Sequence, residues 1–258
     1  MDNNIFEQMF STSSQTKINT EQCLTDYYKL KGFNAFKSAE YAQNNILNFV
    51  EFANRNILDT TQNHTSFIFT SVTKDVVMVN TDHFLIKEIH KRLLDMGWRE
   101  FEFLSSTILE HCFGAYDVST SQATSDGGLD FEGKIPILAS VTREVYGTIE
   151  VYGQAKKYAG NVGIYDIKSF VAFANSKKRN YVHPAQLFMF FTTSDFANNS
   201  IKELSENGFI GLSGFQLATL IFKHRQVLKD KSDIINKILQ WQEGQQVTGV
   251  WLNGGLRG

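Results

Sequence analysis

The chain has 258 residues, of which 42% are hydrophobic and 20% charged, values typical of a folded protein that exclude intrinsic disorder. This length allows one large domain or two smaller ones. The formal net charge is −2 at pH 7, so no global positive field attracts nucleic acid and any DNA-binding surface must be local.

The first 18 residues are rich in Asn, Ser, Thr and Gln and have little apolar periodicity. This composition predicts a flexible terminus without regular structure. The segment contains Asp2 and Glu7, lacks a basic region and carries no long apolar run, so it is not a secretory signal. No stretch elsewhere reaches the roughly 18 apolar residues of a membrane span. We therefore expect a soluble, cytoplasmic protein.

Residues 19–97 predict a small, mainly helical α+β domain. The apolar spacing becomes helical at Thr20, a second helix is expected after a cap at Ser38, and residues 59–65 form a polar break. Two short strands and a further helix that stops near Gly97 complete the domain. The segment contains no zinc finger, basic helix or repeat. Recognition of DNA and dimerisation therefore both stay open as its role.

The remaining segment, 98–258, predicts an alternating α/β domain. A first helix is expected to end about Gly114, and one more helix is expected near the C-terminus. Alternation of this kind implies a sheet covered by helices. The predicted strands are 115–120, 128–132, 144–157, 187–192 and 209–212, and the later helices are 163–176, 195–206, 213–224 and 231–243.

The string "TIEVYGQAKKY" carries the first chemical signal. Alternate side chains of a strand share one face, so Glu150, Tyr152, Gln154 and Lys156 form a polar row opposite a small apolar row. A solvent-facing strand of an ordinary half-buried sheet has the same pattern. Alternation alone therefore leaves both interpretations open.

A second signal lies upstream, in "SDGGLDFEG", where glycines 127–128 permit a tight bend that places Asp130 on a neighbouring strand. A carboxylate from Asp130, an amide oxygen from Gln154 and the backbone carbonyl of Ala155 are oxygen ligands that could converge on one divalent cation. Lys156 would then suit water orientation and charge stabilisation beside a scissile phosphate.

The pattern "FE…G…SDGGLD…QAKKY" resembles the Mrr-like branch of the PD-(D/E)xK nucleases. The downstream string "LFMFFTTSDFANNSIKELSENGFIGLSGFQLATLI" extends the resemblance. Together they cover about residues 98–224. The resemblance implies a central mixed β-sheet flanked by helices. It also implies that Asp130 is the principal metal ligand, Gln154 the second-position ligand, Lys156 the catalytic lysine and Glu102 a helix-borne acid of the site.

The chain departs from the family pattern at two places. Many relatives follow the aspartate with glycine, whereas Glu132 lies on the same face as Asp130 and could assist or replace a ligand. Gln154 in place of an acid lowers the charge of the site, so metal binding would weaken unless Glu102 or Glu150 compensates. Glu102 could also be a solvated first-turn acid favoured by the helix dipole.

The resemblance implies a restriction-type endonuclease that hydrolyses double-stranded DNA with Mg²⁺ or Mn²⁺. We expect a homodimer, because cutting two strands calls for two sites. No GxxxxGK[ST] motif occurs, so no nucleotide cofactor is expected in this chain, and scattered histidines with an unpaired Cys23 and Cys112 argue against zinc.

A catalytically inactive DNA-binding or regulatory protein is the alternative, and an RNA nuclease is a third possibility. The basic cluster 175–180 could contact DNA or simply complement a helix end.

Overall fold

The computed structural model divides the chain into two compact units, Met1–Glu88 with Trp241–Gly258, and Ile89–Gln240. The division falls nine residues before Gly97, where a boundary was expected. The structure describes residues 1–11, 13, 15–120, 128–177 and 185–240, and the backbone of 246–247 and 250–251. Glycine 127 and positions 178–180 of the basic cluster lie outside the described residues.

The first unit packs helices against a small antiparallel sheet. The strand order is β1-β3-β2, and the paired helices and the β2–β3 hairpin agree with the sequence prediction. The second helix of the pair begins at Ala35 after an Asn34 cap rather than after Ser38. Its elements are α1 (Asn3–Phe10), β1 (Lys17–Asn19), α2 (Thr20–Leu30), α3 (Ala35–Gln62), β2 (Phe69–Val72) and β3 (Val76–Val79).

The N-terminal segment is the main correction to the predicted elements. Residues 1–18 were expected to lack regular structure, but helix α1 buries Phe6 and Phe10 in the core of the first unit. The Phe6 ring stacks on Tyr27 with centroids 4.5 Å apart, and the side chain of Asp2 caps the helix. Two aromatic residues four positions apart lie on one face of a helix. This apolar spacing is too short to stand out among the polar residues around it.

The helix α4 (Thr81–Asp95) contains the boundary between the two units, and the second unit follows it. None of the described helices combines the length and the apolar character needed to cross a membrane. The later elements are α5 (Trp98–Phe113), β4 (Tyr116–Thr120), β5 (Phe131–Leu138), β6 (Val145–Lys156), α6 (Ile164–Lys177), β7 (Ala185–Thr192), α7 (Asn198–Glu206), β8 (Ile210–Leu212), α8 (Gly214–Lys223), α9 (Arg225–Leu228), α10 (Asp233–Leu239), β9 (Gln246–Val247) and β10 (Val250–Trp251).

The second unit is built on a five-stranded mixed sheet with the order β4-β5-β6-β7-β8. The first three strands pair antiparallel and the last three pair parallel. Adjacent aromatic residues of β7 point to opposite faces: Phe191 contacts Phe113 of α5, whereas Phe190 contacts Phe170 of α6. Helices therefore cover both faces of the sheet, and the predicted mixed, helix-flanked α/β fold is confirmed.

Candidate active site

The register between β5 and β6 brings the two sequence signals together. Phe131 lies opposite Gly153, and the N–H of Asp130 donates to the carbonyl of Gly153 at 2.9 Å. A Cβ atom at position 153 would overlap the ring of Phe131, which itself packs on Phe191 with centroids 5.0 Å apart. The glycine thus permits the ring to cross the neighbouring strand, and the resulting register places Asp130 next to Gln154.

The carboxylate of Asp130 is held against the end of β6. Its Oδ2 atom accepts a hydrogen bond of 2.8 Å from the N–H of Ala155, the residue between Gln154 and Lys156. The N–H and C=O of one strand residue leave the strand on the same side, so the carbonyl of Ala155 also leaves β6 on the side of Asp130. The carboxylate, the carbonyl and the Gln154–Lys156 segment therefore occupy one corner of the sheet.

Gln154 is buried at this corner, with only 6% of its surface exposed. Its side-chain amide lies against Gly128, where a Cβ atom would come within 2.5 Å of Nε2. Gly128 also has a φ of +103°, which disfavours residues with a side chain. Both observations explain why position 128 is a glycine: Gly128 turns the chain onto β5 and leaves room for the Gln154 amide.

Electrostatics link Glu102 of α5 to the same corner. Burial raises the pKa of the Glu102 carboxyl, the charge of Asp130 raises it further, and Lys156 lowers it. Burial also raises the pKa of Asp130, against the opposing effects of the Ala155 N–H and of Lys156. The charge of Lys156 thus acts on both carboxyls, and both lie in a partly desolvated setting.

Two further acids considered from the sequence are engaged elsewhere. Glu150 accepts a hydrogen bond from the Tyr152 hydroxyl at 3.0 Å and lies four strand residues, about 13 Å, from Gln154. Glu132 accepts a hydrogen bond from the Ser119 hydroxyl of β4 at 3.3 Å. Glu150 therefore lies away from the Asp130 corner, and the Glu132 carboxylate contacts β4.

Thr193 is a residue of the site that the residue patterns did not single out. It is fully buried after β7, and its N–H donates to the carbonyl of Lys156 at 3.3 Å. Its hydroxyl exchanges hydrogen bonds with the N–H and the carbonyl of Tyr158, each at 3.2 Å, and its own carbonyl accepts from Nε2 of His90 at 3.1 Å. Thr193 thus ties residues 156–158 to the end of β7.

The donor set fits a hard divalent cation. Carboxylate, amide and carbonyl oxygens are the ligands that Mg²⁺ and Mn²⁺ prefer, and Asp130, Gln154 and Ala155 supply one of each. Among the residues that the structure describes, no group of three or more His, Cys, Asp or Glu side chains could hold a metal ion. A cation at this corner would therefore depend on the amide and the carbonyl as well as on acids.

Comparison with known proteins gives an independent view of the second unit. Residues 93–221 match the Mrr_cat family model, which describes a restriction endonuclease. No curated protein matches the chain.

Two solved structures are similar, each to 61% of this chain with a TM-score of 0.43. One is the MspJI restriction endonuclease in complex with a 27-mer oligonucleotide, at 21% identity over 35% of that chain. The other is the DNA modification-dependent restriction endonuclease AspBHI, at 16% identity over 39% of that chain. The present chain thus spans well under half the length of either protein.

Proposed function

The chain belongs to the Mrr_cat restriction endonuclease family, and from that premise we propose that it hydrolyses phosphodiester bonds of double-stranded DNA with a divalent cation at the Asp130 corner. Membership of this family means a nuclease domain. We propose, beyond this membership, the metal, the substrate and the role of each residue.

One observation carries it: the hydrogen bond of 2.8 Å from the N–H of Ala155 to Oδ2 of Asp130. It brings a carboxylate from one strand to the amide and the lysine of the next, which is the convergence that metal-assisted hydrolysis requires. Oδ2 accepts this hydrogen bond, and within the described part of the chain no hydrogen bond engages Oδ1, which could therefore accept a ligand.

Asp130, Gln154 and the carbonyl of Ala155 would hold Mg²⁺ or Mn²⁺. The bound cation would polarise the scissile phosphate and lower the pKa of a water molecule. Lys156 is half-buried on the strand face that it shares with Gln154. Its ammonium group would orient the attacking water and stabilise the charge that develops on the phosphate. Glu102 would add a second carboxylate, whose raised pKa favours exchange of a proton with water.

A homodimer and a recognition role for the first unit complete the proposal. Cleavage of both strands of a duplex calls for two sites, and each chain would supply one. The first unit would select the DNA target or join the two copies.

The test is a cleavage assay on supercoiled plasmid that is unmodified, cytosine-methylated or adenine-methylated, with Mg²⁺ or Mn²⁺. We expect the wild type to cut at least one substrate and a chelator to stop it. Lys156→Ala should reduce the rate by roughly 10²-fold or more. Lys157→Ala is the matched control, because Lys157 is exposed and adjacent in the chain, and it should cut at the wild-type rate. Equal rates for both alanine variants would refute the assigned site.

A catalytically silent DNA-binding protein is the second candidate. It is favoured by Gln154, whose neutral amide binds a cation more weakly than an acid would, and by the lack of a three-residue acidic, His or Cys cluster in the described chain. A wild type that binds DNA in a mobility-shift assay yet cuts none of the plasmids would establish this alternative. Cleavage of RNA but not DNA under the same conditions would identify an RNA nuclease instead.

A further inference from the structure

The outward face of helix α3 carries three large apolar side chains at a regular spacing. Phe36, Leu47 and Leu58 are 80%, 57% and 59% exposed, and successive members are eleven residues apart. Eleven residues complete about three helical turns, so the three side chains form one stripe along the 28-residue helix. Single exposed apolar residues are common on protein surfaces, but a stripe in register along a whole helix indicates a partner.

The stripe lies opposite the face that α3 buries in its own unit. Ser38, Ala42, Phe49 and Ala53 are the buried residues of the helix, and at about 100° per residue they lie across the helix from Leu47. Helix α3 therefore presents two separate contact faces. Only the inner face is used by the described residues of the first unit.

The charges beside the stripe exclude nucleic acid as the partner. Along one flank the exposed charged residues are Lys37, Glu40, Glu51, Arg55 and Asp59, three acids and two bases. A DNA-binding face needs an excess of positive charge. A protein surface of mixed charge with an apolar centre fits this face instead.

We infer that α3 pairs with α3 of a second copy of this chain, antiparallel, about a two-fold axis at Leu47. In that arrangement Leu47 packs against its own equivalent, and Phe36 packs against Leu58 of the second copy. A two-fold interface brings one patch against itself. The equal spacing on either side of Leu47 makes the stripe complementary to its reversed copy.

The flanking charges support the same arrangement. With Leu47 on the axis, position 40 faces position 54 and position 37 faces position 57. Glu40 then lies one residue, about 1.5 Å along the axis, from Arg55 of the second copy, and Lys37 lies two residues, about 3 Å, from Asp59. All four lie on the same side of the stripe, so each opposite-charge pair occurs twice. A parallel two-fold arrangement would place the charged flanks of the two copies on opposite sides of the stripe, so these opposite-charge pairs would not form.

The first experiment measures the mass of the full chain by light scattering during gel filtration. The wild type should be a dimer, and Leu47→Arg should be a monomer because it sets two like charges on the axis. The matched control is Ile201→Arg, a 51% exposed aliphatic residue on α7, which should stay dimeric. Thermal unfolding checks that both variants fold. A monomeric wild type, or a dimeric Leu47→Arg, would overturn the inference.

The second experiment uses charge reversal and is specific to the antiparallel pairing. Glu40→Arg and Arg55→Glu should each weaken the homodimer roughly tenfold, because each turns both attractive pairs into repulsive ones. An equimolar mixture of the two variants should regain wild-type affinity, since both pairs are then opposite in charge. A mixture no tighter than the single variants would refute the pairing. Neither experiment depends on DNA cleavage, so the dimer and the proposed function are tested separately.

Discussion

Two polar clusters, one in each unit, differ in what their surroundings do to a carboxylate. In the first unit, Glu7 accepts hydrogen bonds from Nε2 of His83 and Nζ of Lys87. These contacts outweigh burial and lower the pKa of Glu7 to about 2, with the His83 hydrogen bond as the largest cause. In the second unit, burial raises the pKa of Asp130 and of Glu102 above their ordinary values.

The direction of each shift indicates which protonation state the folded protein favours. A lowered pKa means that the folded protein stabilises the ionised carboxylate, so the cluster contributes to folding. A raised pKa means that the folded protein disfavours ionisation, and a nearby positive charge would favour it. The ionised Glu7 thus contributes to the stability of the first unit, whereas the ligand-binding role that we propose for the Asp130 corner calls for a positive charge beside it.

The largest expected effect separates the two clusters by activity. Asp130→Asn should lower DNA cleavage by roughly 10²- to 10³-fold, because the amide oxygen can still accept from Ala155 but carries no charge. Its free energy of unfolding without metal should not fall, since the folded state disfavours the charge that is removed. Plasmid cleavage and urea unfolding measure the two quantities. A variant that loses stability and keeps its activity would make the corner a structural cluster.

The reverse result is expected for the first cluster. Glu7→Gln should lower the free energy of unfolding by about 2 kcal/mol at pH 7 and leave plasmid cleavage by the folded protein unchanged. The folded pKa of about 2 lies below the ordinary 4.5, so this stabilisation is complete above about pH 4.5 and disappears as the pH falls toward 2. Urea titrations across that range should show the variant and the wild type converging. A difference that stays constant with pH would contradict the assignment.

A smaller effect is expected at Thr193, which holds the backbone around Lys156. Thr193→Val should reduce the turnover rate about five- to tenfold with little change in the DNA concentration for half-saturation, and Thr193→Ser should restore the rate. Thr219→Val is the matched control, because Thr219 is equally buried and its hydroxyl donates to Phe215 within α8. Both valine variants lose one buried hydroxyl. Equal turnover in the two would remove Thr193 from the site.

The smallest effect is expected at Glu150, on the same strand face as Lys156. Glu150→Gln should leave cleavage within about twofold of the wild type, because the residue lies about 13 Å from Gln154 and the glutamine oxygen can still accept from Tyr152. A loss as large as that of Asp130→Asn would extend the site along β6 and weaken the contrast between the two clusters.

Much of the fold was predictable because helices and strands follow local periodicity. The α5 helix, the strands β4 and β6 to β8 and the intervening helices lie near their predicted positions, whereas β5 begins at Phe131 and runs to Leu138, beyond the predicted strand 128–132. Helix α1 was missed because its four apolar residues, Ile5, Phe6, Met9 and Phe10, span less than two helical turns within a polar segment. The candidate site was predictable in part: the residue patterns indicate Asp130, Gln154 and Lys156 but not Thr193, since its contacts with Tyr158 join residues 35 positions apart and leave no local pattern.

The amino-acid sequence by itself determined the family, the order of the elements and the row of polar residues on β6, because each depends on neighbours along the chain. Only the tertiary structure decided which part of that row meets Asp130. That choice depends on the register of β5 against β6, set where the Phe131 ring crosses Gly153. A shift of one residue would turn the side chains of one strand to the other face, so the site exists only in the paired sheet.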